Sequence, residues 1–137
     1  MQLENLLSYK SRQSISFIIT ISVALVWFTN GLFCKVLNLV PRHQEIVERI
    51  LGETYASPIT KTIGVLEIGM SIWVLSGIRS RFSAIFQLVI IATMNSLEFA
   101  LAPDLLLFGK MNIVYAFLFM IIIYLNEFHI KTKKLRL

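Results

Sequence analysis

Four long apolar runs divide the chain, at residues 15–40, 59–76, 82–102 and 105–124, and one polar stretch separates the first from the second. Each run reaches roughly the 17–25 residues that a helix needs to cross a ~30 Å hydrocarbon layer. Lipid offers unpaired backbone groups no partner, and the runs lack the alternation of barrel strands, so helices are expected. With their ends included, these helices are drawn over residues 14–40, 59–76, 82–102 and 105–127. The predicted fold class is all-α: an integral membrane antiparallel four-helix bundle, one transmembrane domain over residues 1–137.

The polar stretch from Pro41 to Pro58 has its own pattern. Ile46, Val47, Ile50 and Leu51 stand at offsets of one, four and five among Arg42, His43, Glu45, Glu48 and Arg49. That spacing predicts a short amphipathic helix over residues 42–51, begun by Pro41 and ended by Gly52, lying on the outer membrane surface and roofing the bundle. The other connections are short, Gly77 to Arg81 and Pro103-Asp104, which implies antiparallel neighbours in up-down order.

Composition agrees with a membrane chain: 56% of the 137 residues are hydrophobic and 15% charged, against roughly 25% charged in soluble domains. The net charge of +5 would suit nucleic acid, but the basic residues are placed differently. Lys10, Arg12, Arg79, Arg81, Lys131, Lys133, Lys134 and Arg136 all fall on one side of an even-numbered bundle. The positive-inside rule makes that side cytoplasmic, so both termini are expected there, in a bacterial inner (plasma) membrane. Membrane lipids are then the expected contact of the basic groups, with no nucleic acid.

Lys10 and Arg12 before an apolar run imitate a signal peptide, but the run is too long and no small-residue cleavage site follows it. Phe33 directly before Cys34 likewise excludes a lipoprotein signal. Cys34 is the only cysteine, which removes an internal disulfide or a two-cysteine relay; such a residue is ordinarily inert packing.

Helical spacing shows which polar residues share a face. Ser16, Thr20, Val23, Trp27, Asn30 and Cys34 form one stripe; Thr60, Gly64, Glu67 and Ser71 a second; Ala84, Gln87, Ile91, Asn95, Glu98 and Ala102 a third. On the fourth helix Asn112, Tyr115 and Phe119 share a face. At 1.5 Å per residue, Glu67 stands about 18 Å above Arg79 and Glu98 about 25 Å above Arg81, with Trp27, Asn30 and Asn95 at about 21–27 Å. The stripes therefore predict a polar pocket in the outer half and a nearly all-apolar cytoplasmic half.

Ionisable residues within spans are costly, and each is a functional candidate. Glu67 and Glu98 have two readings. Paired with Lys35, Lys61 or Lys110, or with Asn30 and Asn95, they fix the register of the bundle. As buried carboxylates beside a quinone or another amphipathic ligand, they handle protons. The three lysines lie near the outer ends of their spans, where long side chains snorkel to headgroups. His43 is expected on the surface, titrating near pH 6–7. With His129 the only other histidine, no histidine-rich metal or haem site is predicted, and no nucleotide signature or metalloprotease motif occurs.

The sequence Leu25-Val-Trp27-Phe-Thr-Asn30-Gly31-Leu, followed by Lys35, Pro41 and His43, resembles the opening of the DoxX-like family of small four-helix membrane proteins. Gly64-Val-Leu-Glu67-Ile-Gly69, Trp73-Val-Leu-Ser-Gly77, Asn95-Ser-Leu-Glu98, Pro103-Asp104-Leu-Leu and Gly109-Lys110-Met-Asn112 extend the likeness over residues 12–128. The family is named for membrane subunits associated with thiosulfate:quinone oxidoreductase. Its recurring polar residues would fall on Trp27, Asn30, Lys35, His43, Glu67, Glu98, Lys110 and Asn112.

These readings converge on an accessory subunit of a membrane redox complex that binds a quinone or similar lipophilic ligand. Glu67 and Glu98 are the candidate catalytic residues; Trp27, Asn30, Lys35, His43, Asn95, Lys110 and Asn112 are the candidate ligand-binding residues. Electrons would come from a redox partner protein or the quinone, since the chain supplies no redox pair of its own. Two alternatives stay open: a noncatalytic scaffold or assembly factor, and a small transporter that works as a homo-oligomer.

Overall fold

Two glycines on different helices approach closely, and the helices are arranged around their contact. The structure, a computed structural model, describes residues 2–105 and 111–130; the predicted site residue Lys110 lies outside them. Helix α1 runs Gln2–Thr29 and continues as a π-helix over Asn30–Val36; α2 is Arg42–Leu51, α3 Ala56–Ser76, α4 Ser80–Leu101 and α5 Asn112–Leu125, continued by a π turn over Asn126–Ile130. No strand occurs among the described residues, and the four long helices are apolar and long enough to cross a membrane. The all-α membrane bundle expected from the sequence is the fold observed.

Gly31 on the π segment and Gly64 on α3 face each other. A Cβ placed on Gly31 would stand 2.5 Å from the Gly64 carbonyl oxygen, and one on Gly64 2.6 Å from the Gly31 oxygen. Between apolar helices in lipid there is no hydrophobic force, so association relies on close van der Waals contact, which small residues permit. Each glycine also makes room for a charged side chain of the other helix: the site above Gly31 is bounded by Glu67 Cβ at 3.0 Å, and that above Gly64 by Lys35 Cβ at 2.9 Å.

The other contacts are looser and set the shape. α4 packs along α5, while α5 meets α1 chiefly through its π extension. α3 and α4 are joined by the turn at Gly77 (φ 69°) and Arg79 (φ 47°), yet pack sparsely; Trp73 of α3 meets Phe82 and Phe86 of α4 with ring centroids 5.7 and 5.8 Å apart. Of the consecutive spans, only α3 and α4 are therefore not close neighbours in space. The interior core consists of Val23, Trp27, Met70, Ala84, Ile91 and Ile123. Large apolar side chains such as Phe17, Leu66, Ile72, Val89 and Phe117 point outward, as expected of surfaces facing acyl chains.

Helix α2 closes one end of the bundle by packing on α3 and α4. Pro41 (φ −58°) precedes it and Gly52 (φ 96°) stops it; Ile46 is buried against Ala102, with Ile50 and Leu105 alongside. Arg49 holds the far side with a two-bond bridge to Asp104 at 2.6 and 3.0 Å, which is solvent-exposed.

Both ends of the first span differ from the sequence expectation. α1 starts at Gln2 rather than near residue 14, because the preceding polar segment is built of helix-tolerant residues with no proline or glycine to interrupt it. The first span ends at Val36 rather than Val40, because Asn38 takes a left-handed conformation (φ 51°) that turns the chain toward α2.

The glycine crossing yields a direct test. Gly31→Ala or Gly64→Ala forces a methyl group onto backbone and should cost about 1–3 kcal/mol of stability, read as a lower unfolding midpoint of the detergent-purified protein. Gly69→Ala, which meets nothing within 4 Å, should be neutral or slightly stabilising.

Candidate functional site

The glycine crossing brings Lys35 and Glu67 together. Lys35 Nζ donates to both carboxylate oxygens of Glu67, at 2.8 and 2.9 Å, and the two side chains are only 7% and 8% exposed. Removing either partner would strand a charge away from water, which is why buried pairs occur with such complete mutual satisfaction. Lys35 therefore does not snorkel to the headgroups as its position near the end of the span suggested. The widened π turns of Asn30–Val36 delay the helical rotation and carry Lys35 onto the interior face.

Beside this pair lies a cavity of about 640 Å³, bounded by α1, α4 and α5 and roofed by α2. Trp27, Asn30, Lys35, His43, Glu67, Asn95, Glu98 and Asn112 all line it, so eight of the nine residues singled out from the sequence share one space. Lys110, the ninth, is not among the described residues. Apolar walls come from Val26, Ile91, Met94, Ala116 and Phe119. The polar stripes coincide with the buried faces of α1, α3 and α4.

Within the cavity the two carboxylates differ. Glu67 is bound to Lys35, whereas among the described residues no donor hydrogen-bonds Glu98. Lys35, Glu67 and Arg42 lie close enough to act on the Glu98 charge. Asn112 Nδ2 donates to Asn95 Oδ1 at 3.0 Å, and Asn95 Nδ2 donates to the Ile91 carbonyl at 2.8 Å, so this amide pair ties α5 to α4 at the cavity wall. Trp27 Nε1 donates to Gln87 Oε1 at 2.9 Å and closes the floor.

Arg42, Cys34, Tyr115 and Met94 also line the cavity but are not among the sequence candidates. Arg42 had a readable signal, its place beside His43 on the first turn of an amphipathic helix. Cys34 is half-buried at the cavity rather than sealed in packing.

The opposite half of the bundle is also less apolar than expected. Gln87 Nε2 donates to Ser83 Oγ at 3.2 Å, Asn126 Nδ2 to Thr20 Oγ1 at 3.1 Å, and Ser80 Oγ to Glu127 Oε1 at 2.8 Å. Thr20 and Gln87 belong to the predicted stripes, but Asn126 and Glu127, at the end of the predicted fourth helix, lie on none of them.

His43 departs most from expectation. It is half-buried under α2, and burial, reinforced by the positive charges of Lys35 and Arg42, lowers its pKa from 6.5 to about 4. It is thus a neutral imidazole at pH 7, able to donate and to accept. Because the folded value lies below the unfolded one, His43 contributes stability above pH 6.5 that is lost as pH falls toward 4. After a discount for its residual exposure, the effect is on the order of 1–2 kcal/mol. Thermal unfolding at pH 7 and pH 4 should therefore show a smaller acid destabilisation for His43→Gln than for the parent.

Comparison with known proteins agrees with this geometry at the level of the family. No curated protein and no solved structure matches the chain. The model of the DoxX-like family matches residues 24–125, which run from the buried face of α1 through α2, the glycine crossing and the cavity to the end of α5. On the strength of that match, which covers most of the sequence and every described residue of the cavity, the chain belongs to the DoxX-like family of membrane proteins.

Proposed function

We propose that this protein binds a lipophilic ligand with a hydrogen-bonding head, of the quinone type, in the cavity beneath α2, and that it serves a membrane redox complex as an accessory subunit. The observation that carries the reading is the two-sided lining of the cavity. Val26, Ile91, Met94 and Phe119 suit a ring system, while Arg42, His43, Glu98 and Asn112 offer donors and acceptors within the same space. Electrons would come from a partner protein. By the positive-inside rule the cavity would open on the outer side of the membrane.

In this reading the carboxylates have separate roles. Glu98 exchanges protons with the ligand oxygens, since among the described residues no side chain hydrogen-bonds its carboxylate. Glu67 holds Lys35 in place, and Lys35 contributes a fixed positive charge to one wall of the cavity. The Lys35–Glu67 pair also favours a second reading, a noncatalytic scaffold in which polar contacts only lock helix register.

A pair of substitutions separates these readings. Glu98→Gln should leave the melting temperature close to the parent value while weakening binding of a short-chain quinone roughly tenfold or more, as expected for one lost charged hydrogen bond. Calorimetry on the purified protein in lipid nanodiscs measures this, and unchanged affinity would sink the quinone assignment. Glu67→Gln strands Lys35 and should destabilise the bundle by about 3–5 kcal/mol. The double change Lys35→Met with Glu67→Met should recover much of that loss.

A further inference from the structure

At the end of the bundle away from α2 lies a second, much smaller void of about 30 Å³, formed where α1, α3, α4 and the π extension of α5 meet. Six of its eleven lining residues are polar: Thr20, Ser80, Ser83, Gln87, Asn126 and Glu127. Apolar voids of this size stay dry, whereas a polar one needs only ~10–15 Å³ of accessible space and two to four hydrogen-bonding partners to hold a water.

Asn126 supplies the second observation. It is 7% exposed, its Nδ2 is used by Thr20, and its Oδ1 has no hydrogen-bond partner among the described residues. A buried carbonyl left in that condition bears its full desolvation cost. Exchanging the two ends of the amide does not remove the difficulty, because the side chain would then present an unsatisfied NH2 in place of the oxygen. Matching capacity exists around the void. The Ser83 hydroxyl accepts from Gln87 Nε2 and has a proton left to give; Gln87 Oε1 accepts from Trp27 and has a second lone pair.

We infer that this void is a binding site for one ordered water, which donates to Asn126 Oδ1 and Gln87 Oε1 and accepts from the Ser83 hydroxyl. The water joins the π turn of α5 to α4, as the Asn126–Thr20 bond joins it to α1. A desolvated alkali or alkaline-earth cation would want about six oxygen ligands. Here five of the eleven walls are apolar, Val23, Val74 and Ile123 among them, which favours a neutral occupant.

An experimental structure of the full chain in lipid, at a resolution that shows waters, tests this. The expected result is one density peak within hydrogen-bond distance of the Asn126 side-chain amide and of Gln87 or Ser83. A dry void would overturn the inference, as would a peak surrounded by oxygens at cation distances that is replaced on soaking with thallium.

Discussion

Two backbones approach so closely at Gly31 and Gly64 that neither position has room for a methyl group, and much of the molecule follows from that contact. Because it is flanked on one helix by Lys35 and on the other by Glu67, closeness of backbone becomes closeness of charge. The attraction gains strength in a low-dielectric interior, but so does the cost of desolvating both groups. Such a pair is better understood as a device of register than as a source of net stability. A slide of α3 along α1 by one turn would break the glycine contact and the ion pair together.

The remaining contacts allow the bundle to be uneven. α3 and α4 pack sparsely although a three-residue turn joins them, and α5 reaches α1 chiefly at one end. The cavity occupies the side where these helices are least closely packed, with α2 drawn across it by Ile46 and by the Arg49–Asp104 bridge. Trp27 and Gln87 link this cavity to the polar cluster at the other end, since the indole lines one space and the amide lines the other.

Much of this was legible in the sequence because membrane helices obey a simple period. The stripes through Trp27, Glu67 and Glu98 are buried faces, since every turn returns a residue to the same side whatever its chemistry. What the period could not supply was the partner of Glu67. Lys35, Lys61 and Lys110 all suited it by depth, and the choice depended on a π segment that no residue type announces. His43 was misjudged for a related reason: helical spacing gives the face of α2, but the burial that suppresses its protonation comes from the cavity beneath and from the charges of Lys35 and Arg42. Asn126 and Glu127 were overlooked because polar residues at the end of an apolar run look like a boundary until a π turn folds them inward.

The divergence of α1 from α5 bears on how any guest reaches the cavity. Val26 and Tyr115, which line it, are also exposed, so a guest of the proposed kind would meet the cavity from the flank of the bundle as well as from the roof of α2. On the proposed reading, a molecule entering there would already have dissolved in the bilayer, and its occupancy would be set by its mole fraction in lipid. Partitioning would then act as the first stage of selection: polar solutes would be excluded by the solvent before the protein had to distinguish among those that remain.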